Sequence, residues 1–555
     1  MRKIMVALIV LALAMPALAL KDQEWAEVYA PAVAQTDEGM VGSLSTMRVR
    51  VEPGSGHVFV DTFPLTEIDM QSSARMAASV ACSVANKSLN SYDFFVVVRG
   101  EAQMIGGTSA GGAMTVAMVS ALNGLKLRKD VMMTGTISPD GSIGPVSGIP
   151  QKMEAAKEGG AKVFLLPKGQ ANYSYMETSA RQIGPIVITS QKPAEMNLID
   201  YGKELGVVVK EISDVREAVR EFTGERIERQ SAGTIDDSEY QQLMETHARE
   251  LEAEAKGGYA SAQRANSSST EGYLEESRNR IVNGQNFMSR GKYYSAASSF
   301  FESIIYSSYV SNYEKYRTDP QRGLKEIGDE IERVDSRIKN ETKNYNMAYL
   351  QCFGAAEEKI IEAKENFEMG YNLTENGNVA DGMFTLSYAA ERAKSAEWWF
   401  DMAKSTKASE EFSEDYVTSL ALSTTNAAEE TLMYAQFSTP TELLSVLAQA
   451  NDELVRAKSA VNDSYTAGAV VLASKALALS ELVIELGARG MDGESIAVAR
   501  ENARSAIARA QSSGINPVLA LAYLESGESH EEEESTQPLM DYKFAECIAR
   551  TSGAP

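Results

Sequence analysis

Residues 106–152 have the sequence GGTSAGGAMTVAMVSALNGLKLRKDVMMTGTISPDGSIGPVSGIPQK, in which two glycine-rich turns flank an apolar run. Gly106 and Gly107 give the backbone the freedom that a tight turn requires, and the apolar residues after Ser109 recur at helical spacing. We therefore expect Ser109 at the entrance of a helix. A helix entrance leaves backbone N–H groups unpaired, and such donors can stabilise an oxyanion that forms beside the hydroxyl.

A serine nucleophile needs a base, and the chain has only three histidines, His57, His247 and His530. Only His57 lies in the same predicted domain as Ser109, and we expect it on a surface turn, so a Ser-His-Asp triad is disfavoured. Lysine can replace histidine where burial and a helix N-terminus lower its pKa. Lys152 follows a turn rich in proline and glycine and starts a second amphipathic helix. Its amine is therefore the candidate base.

Each of these two residues also has an ordinary structural interpretation. A serine at a helix start is commonly an N-cap, and a lysine on a helix is commonly solvated. Their occurrence together, in one ordered stretch with a glycine-rich turn before each, favours catalysis over these separate interpretations.

The run from TSAGG through AKVFLLP resembles the proteolytic domain of Lon-type serine-lysine peptidases. In that family a Ser-Ala-Gly motif is followed by a Thr-Gly strand, a glycine-rich hairpin and the catalytic lysine. The resemblance implies that Ser109 is the nucleophile, that Lys152 is the general base, and that Thr134 helps to hold the lysine. The other supporting residues of the predicted site are the neighbours of the serine, Gly107, Thr108 and Ala110.

The sequence departs from cytosolic Lon proteases at the rim of this predicted site. Gly106-Gly107-Thr108 replaces the Asp-Gly-Pro that typically precedes the serine, and Thr136 stands where an acidic residue often follows Thr-Gly. The 555 residues contain no G-x-x-x-x-G-K-S/T phosphate loop. The resemblance is thus to stand-alone, ATP-independent members of the family, without cofactor or metal, and it implies a homo-oligomer.

The N-terminus, MRKIMVALIVLALAMPALAL, is typical of a secretory signal peptide over residues 1–19. An uncleaved membrane anchor is the alternative, because the apolar run approaches the roughly 20 residues that span a bilayer. We expect an exported protein, extracellular or in the cell envelope, and we identify no second segment that is apolar enough to cross a membrane. Several Asn-x-Ser/Thr sites, such as Asn266, Asn340 and Asn372, permit glycosylation after export.

The charge and cysteine content exclude several other classes. A net charge of −24 argues against nucleic acid as a partner. The resemblance to a peptidase makes polypeptides the expected substrates. The three cysteines, Cys82, Cys352 and Cys547, are too few and too scattered for a disulfide framework or a metal site. We expect Cys82 to be a buried small hydrophobic residue.

Composition and periodicity divide the chain after the signal segment into an α+β Lon-like domain, 40–224, a charged helical linker, 225–270, and an all-α domain, 271–555. In the first domain, the alternating runs STMRVRVEP and HVFVDT around a Gly-Ser-Gly turn predict a β-hairpin. In the third, helical spacing and three glycine-containing turns predict a helical bundle or a short tetratricopeptide-like solenoid. There Trp398 and Trp399 either pack between helices or line a peptide-binding groove.

These features together predict an ATP-independent serine endopeptidase that uses a Ser109–Lys152 dyad on exported or cell-surface polypeptides. Two alternatives stay open. The first is a catalytically silent Lon-like scaffold for a helical binding module. The second is a self-processing protein that cleaves itself within the linker 225–270.

Overall fold

The computed structural model describes twelve ranges of the chain: 25–36, 39–66, 68–105, 108–183, 186–228, 233–265, 267–343, 345–406, 411–437, 439–490, 493–532 and 535–552. The predicted signal segment, residues 1–19, lies outside the described residues, as do Gly107 and the sequon residue Asn266. The chain divides into two compact units. The first is Met1–Arg229 with Gly487–Arg489, and the second is Gln230–Leu486 with Gly490–Pro555.

A four-stranded sheet forms one layer of the first unit. Its strands are β1 (Ala26–Thr36), β2 (Gly39–Pro53), β3 (Val58–Thr66) and β4 (Tyr92–Ile105), in the order β1-β2-β4-β3. The predicted hairpin between β2 and β3 is wrong, because β4 lies between them, antiparallel to β2 and parallel to β3. β4 carries the buried apolar side chains Phe94, Val96 and Val98. The interior position therefore buries a strand with three large apolar side chains on one face.

The sheet begins earlier than the predicted domain start at residue 40. β1 pairs with β2 along its whole length, from Ala26 opposite Val49 to Thr36 opposite Gly39. The side chains of Val28 and Ala30 on β1 are buried. The domain therefore includes an edge strand that the predicted range omits.

The second layer of the first unit holds the predicted nucleophile and base. Its helices are α1 (Ile68–Ala85), α2 (Gly111–Asn123), α3 (Ile149–Glu158), α4 (Leu198–Leu205) and α5 (Val215–Thr223). A parallel sheet in the order β11-β8-β5 lies among them, made by β5 (Val131–Met133), β8 (Val163–Pro167) and β11 (Val208–Ile212). A short hairpin pairs β6 (Thr136–Ile137) with β7 (Ile143–Gly144), and a long ribbon pairs β9 (Asn172–Ile183) with β10 (Ile186–Asn197). These elements confirm the α+β class of this domain.

The second unit is helical, as predicted. Its helices among the described residues are α6 (Ser238–Ala265), α7 (Glu271–Ser289), α8 (Tyr293–Thr318), α9 (Pro320–Lys339), α10 (Met347–Glu375), α11 (Val379–Ser405), α12 (Glu414–Gln436), α13 (Leu444–Asn462), α14 (Thr466–Arg489), α15 (Gly493–Ser512), α16 (Val518–His530) and α17 (Gln537–Ser552). The predicted glycine turns join α7 to α8, α10 to α11 and α14 to α15. Gly291, Gly377 and Gly490 have φ of +69°, +87° and +83°, a region that favours glycine.

The range 225–270, predicted to be a charged helical linker, contains a helix that belongs to the core of the second unit. Leu251 and Ala255 of α6 share a buried cluster with Phe300 and Ile304 of α8. The charged residues of this segment occupy the solvent side of an amphipathic helix. α6 is therefore a structural helix of the bundle.

One helix of the described residues is long and apolar enough to cross a membrane, which corrects the expectation that no second segment qualifies. It spans Thr466–Ala488 within α14, and 94% of its most apolar window is buried inside the protein. Burial of that kind is typical of the central helix of a bundle.

The three cysteines and the two tryptophans of α11 behave as packing residues. Cys82, Cys352 and Cys547 are all free and buried. Trp398 lies edge-on to His247 of α6 and Phe301 of α8, with ring centroids 5.2 and 5.9 Å apart. Trp399 is buried as well. Of the two interpretations, the structure supports tryptophans that pack between helices.

Candidate active site

Ser109 lies in a 3₁₀ turn, Thr108–Ala110, that runs directly into the buried helix α2. The two glycines that follow let this helix start approach the segment between β5 and β6. A Cβ atom at Gly111 would lie 2.9 Å from Ile137 Cγ2, and one at Gly112 would lie 2.7 Å from Met133 Cε. A larger residue at Gly111 would force Ile137 or the helix to shift, so this glycine of the SAGG motif helps to set the position of Ser109.

Backbone hydrogen bonds fix the serine turn against the Thr134-Gly135 segment. The N–H of Gly135 donates to the carbonyl of Ser109 at 2.9 Å, and the N–H of Gly112 donates to the carbonyl of Gly135 at 3.1 Å. Gly135 has φ of +152°, and an added Cβ would meet Ile143 Cγ2 at 2.3 Å. The Thr-Gly pair of the sequence motif follows strand β5, and its backbone hydrogen bonds hold the turn that carries the nucleophile.

Lys152 enters the site from the first turn of α3. Gly148, with φ of +67°, precedes this helix, and Pro150 lies in its first turn, where a missing N–H costs nothing. Ile149 and Met153, which adjoin Lys152 on the buried side of α3, anchor the helix in a cluster with Phe164. With that anchor, the lysine side chain is directed inward and is only 3% exposed.

Thr134 joins the lysine to the serine turn. The Nζ of Lys152 donates to Thr134 Oγ1 at 3.3 Å, and that hydroxyl donates to the carbonyl of Ser109 at 3.4 Å. Thr134 is itself buried. The contacts between base and nucleophile therefore run through the threonine, which holds the amine in place beside the turn that carries the hydroxyl.

The electrostatics of Lys152 differ from those of an ordinary helix lysine. Burial lowers the pKa of its amine to about 8. Within the described part of the chain it forms no ion pair that would oppose this effect, and its hydrogen-bond acceptor is the neutral hydroxyl of Thr134. Because a buried ammonium without a counter-ion is costly, the neutral amine is available at mildly alkaline pH.

Two side chains that the sequence did not single out hold the turn before Lys152. The amide of Gln170 pairs with both backbone groups of Val146, accepting from its N–H at 2.9 Å and donating to its carbonyl at 2.8 Å. The N–H of Gly148 donates to the hydroxyl of Tyr173 at 3.0 Å. Both residues come just after β8. The one signal in the sequence that could have predicted a role for these two residues is their position just after a strand that ends beside the site.

The structure brings together Ser109, Thr134 and Lys152 and places Thr108 and Ala110 in the serine turn, whereas Gly107 lies outside the described residues. His57 lies on an exposed turn, where it contacts Ser55 and Asp93. Among the residues that the structure describes, no group of three His, Cys, Asp or Glu side chains is placed to hold a metal ion. A serine at a helix entrance beside a buried lysine amine is the arrangement of a serine peptidase with a lysine base.

Comparisons with known proteins match one part of the chain. Residues 28–181 match the family model of the Lon protease C-terminal proteolytic domain. The Lon protease of Vibrio parahaemolyticus is 37% identical over 142 residues, which are 24% of this chain and 18% of that protein. The Escherichia coli Lon protease is 38% identical over 141 residues, again 24% of this chain and 18% of that protein. Lon protease 1 of Myxococcus xanthus is 36% identical over 133 residues, 23% of this chain and 16% of that protein.

The first unit thus contains a Lon-type proteolytic domain, the domain class of a serine peptidase family. The chain spans less than a fifth of the length of these curated relatives. The similarity therefore concerns their proteolytic domain.

Proposed function

We propose that this protein is a serine endopeptidase in which Ser109 is the nucleophile and Lys152 is the general base. The observation that carries the proposal is the buried amine of Lys152, joined through Thr134 to the turn that holds Ser109. The lowered pKa of this amine makes it a proton acceptor near neutral pH, which is what a general base requires.

In this mechanism the neutral amine of Lys152 takes the hydroxyl proton as Ser109 Oγ attacks the peptide carbonyl. Backbone N–H groups of the serine turn stabilise the tetrahedral oxyanion. The resulting ammonium then gives its proton to the leaving amine, and an acyl-enzyme remains on Ser109. In the second half of the reaction, Lys152 takes a proton from a water molecule as the water oxygen attacks the acyl ester. Lys152 then returns this proton to the serine oxygen, which releases the second product.

Thr134 acts in this scheme as a positioning residue. Its hydroxyl accepts from the lysine amine and donates to the carbonyl of Ser109, so it limits the directions that the amine can take. Holding the base in one orientation lowers the entropic cost of the proton transfer. Gln170 and Tyr173 support the same geometry one step further out, through the turn before α3.

We propose that the peptidase works without nucleotide on exported or cell-surface polypeptides, as a homo-oligomer. Support for independence from ATP comes from the 555 residues, which contain no phosphate-loop motif. Support for export comes from the apolar N-terminal segment and its small-residue cleavage pattern. The oligomer follows from the likeness to Lon proteolytic domains, and a mass measurement of the purified protein in solution tests it.

The self-processing alternative meets a structural obstacle. α6 fills most of the range 225–270 and has a buried face, so its peptide bonds are not presented as an extended substrate. Self-cleavage within the described residues of that range is thereby restricted to the stretches outside helices, 225–228, 233–237 and 267–270.

The test is hydrolysis of an unfolded polypeptide, with and without ATP, by the wild type and by Ser109→Ala and Lys152→Ala variants. Ser147→Ala and Lys157→Ala are matched controls, because both side chains are exposed and lie close in sequence to the base. We expect nucleotide-independent cleavage that is lost in the first pair and kept in the second. Activity that persists in Ser109→Ala would overturn the dyad. Cleavage of its own chain alone would favour self-processing, and no cleavage at all would favour the scaffold.

A further inference from the structure

One face of the four-stranded sheet carries aromatic side chains at exposed positions. Side chains alternate along its strands, so residues such as Val49 and Val96 are buried on the inner face. On the outer side, Trp25, directly before β1, is 36% exposed, and Phe59 and Phe63 of β3 are 49% and 69% exposed. Outward positions of a sheet with one buried face are ordinarily polar. These aromatic side chains therefore mark a surface that meets something other than water.

The strand register places the aromatic side chains in one row across the sheet. Arg50 of β2 lies opposite Phe95 of β4, and Phe95 lies opposite Phe59 of β3. The guanidinium of Arg50 lies over the rings of Trp25 and Phe95, 5.2 and 5.1 Å from their centroids. Phe95 stacks on Phe59 with ring centroids 5.0 Å apart. We call these four residues, with Phe63 four positions along β3, the aromatic row.

The charges beside the aromatic row are largely matched. Arg50 pairs with Glu52 at 3.0 Å, and Arg99 pairs with Asp61 at 2.6 Å. Arg48 is exposed and forms no ion pair among the residues that the structure describes. The row therefore offers aromatic surface together with an available guanidinium, which is a donor group suited to phosphate oxygens.

The aromatic row begins five residues after an apolar segment. Residues 4–20 contain no charged side chain, and Lys21–Glu24 separate them from Trp25. An extended chain covers at most about 3.6 Å per residue, so Leu20 and Trp25 lie within about 18 Å of each other. The headgroup layer on each side of a bilayer is roughly 5–8 Å thick. A membrane that holds the apolar segment is therefore within reach of the row.

We propose that the aromatic row docks on the headgroup interface of the phospholipid membrane that the N-terminal segment enters. Tryptophan and phenylalanine are typical of protein surfaces that lie in this interface. The guanidinium of Arg48 donates to lipid phosphates. Because the attraction comes chiefly from apolar burial, it needs no net charge on the lipid, which suits a chain of net charge −24. The inference rests on the proposed export, which brings the N-terminal segment to a membrane.

The test is lipid contact in the full chain, made by cell-free synthesis in the presence of phosphatidylcholine vesicles. A fluorophore on Asp61→Cys reports contact, because this exposed position lies between Phe59 and Phe63 on β3. The native cysteines are buried, so labelling is selective. With a nitroxide on the lipid acyl chain near the headgroup, we expect the emission to fall at least about twofold. The same fluorophore on Arg220→Cys, at an exposed position of α5, is expected to keep its emission.

Serine substitutions separate the aromatic row from the tether. Phe59→Ser combined with Phe63→Ser, in the labelled Asp61→Cys chain, is expected to restore the emission. Phe437→Ser is the matched control, since it removes a phenylalanine of the second unit that is 55% exposed, and it should leave the quenching unchanged.

Hydrolysis of an unfolded polypeptide by the same samples checks that the first unit is folded. It also separates this inference from the proposed peptidase activity. Quenching in a chain that does not hydrolyse would contradict the peptidase alone, and hydrolysis without quenching would contradict the docking alone.

Several results would overturn the docking. Equal quenching at the Asp61→Cys and Arg220→Cys labels would indicate that the tether alone brings the domain to the lipid. Quenching that survives the two serine substitutions, or quenching at neither label, would also exclude a role for the row. A blue shift of the Asp61→Cys label that grows with protein concentration in the absence of vesicles would assign the row to a second copy of the chain instead of lipid.

Discussion

Two buried lysines, one in each unit, have opposite electrostatic surroundings. Lys152 has no ion-pair partner among the described residues, and burial lowers the pKa of its amine to about 8. Lys543 is fully buried, with its amine within 3.0 Å of carboxylate oxygens of Glu481, Glu485 and Glu546. Burial alone would lower the pKa of Lys543, but these three carboxylates outweigh it and raise that pKa well above its usual value.

The difference shows that burial does not by itself make a lysine reactive. An ammonium surrounded by carboxylates is a structural ion whose proton is held more firmly than in water. Lys475 of α14 is a second case, since Glu358 lies 2.5 Å from its amine and its pKa is also raised. Lys152 has no such counter-ion among the described residues, so the folded state bears the cost of the buried charge and the amine loses its proton at a lower pH.

The largest expected effect is on catalysis. Lys152→Met removes the base while keeping a side chain of similar length, and we expect peptide hydrolysis to fall about a thousandfold or more, because the serine hydroxyl then has no proton acceptor. The measurement is kcat/KM on an unfolded polypeptide. Lys157→Met, on the exposed side of the same helix, is expected to keep wild-type activity. Activity above a tenth of the wild type in Lys152→Met would contradict the role of the base.

The same substitution at the other lysine is expected to damage the fold. Lys543→Met leaves the carboxylates of Glu481, Glu485 and Glu546 without their shared cation. We expect a loss of about 3–5 kcal/mol in the free energy of unfolding of the second unit, as for other broken buried ion pairs.

Tryptophan fluorescence during denaturant unfolding measures this loss in a Trp25→Phe background, because the two remaining tryptophans, Trp398 and Trp399, lie in the second unit. Lys325→Met is the control, since its ion pair with Asp329 is exposed and is worth little. A loss no larger in Lys543→Met than in Lys325→Met would remove the contrast between the two buried lysines.

Lys152→Met is expected to stabilise the first unit at neutral pH. Below pH 8 both the folded and the unfolded protein bind the proton, and the folded state bears the full cost of the buried charge. A pKa lowered from 10.5 to about 8 corresponds to about 3 kcal/mol. Between these two values the unfolded lysine is still charged and the folded one is neutral, so the stability of the wild type rises with pH.

The stabilisation by methionine should therefore be full below pH 8 and should vanish by about pH 10.5. Calorimetric melting of wild type and variant across this range measures it, with Lys157→Met as the unshifted reference. A gain that does not change with pH would indicate better apolar contacts instead of a relieved charge.

Local signals in the sequence were sufficient for the nucleophile turn and the lysine helix. Ser109 and Lys152 each follow a glycine-rich turn, and the order of the motifs along the chain matches the order of the elements that meet in the site. The sheet was harder to predict, because the pairing of β4 between β2 and β3 is a long-range choice. In the sequence, β2 and β3 are adjacent strands joined by a short turn, which is the pattern of a hairpin. The folded sheet instead places β4, which is more apolar than β3, between them.

Buried charges in the helical unit escaped prediction for a related reason. Glu481, Glu485 and Lys543 have the spacing of charged residues on any exposed helix face, yet they meet in the interior. The sequence pattern predicts each helix, but it does not predict how the helix is rotated, and therefore not that its charged face meets another helix. Gln170 was missed in the same way, since its contact with Val146 depends on two loops that only the folded chain brings together.

The smallest effect is expected at Thr134 and distinguishes a positioning residue from a structural one. Thr134→Val removes the hydroxyl that accepts from the Lys152 amine. An acceptor stabilises the ammonium form, so its loss should lower the pKa of Lys152 further. Wild-type activity should rise with pH through about 8. The variant should show about tenfold lower maximal activity with its inflection at lower pH, and Thr134→Ser should restore both. A lower plateau with an unmoved inflection would mean that Thr134 only fills space, and that the basicity of Lys152 is set by burial alone.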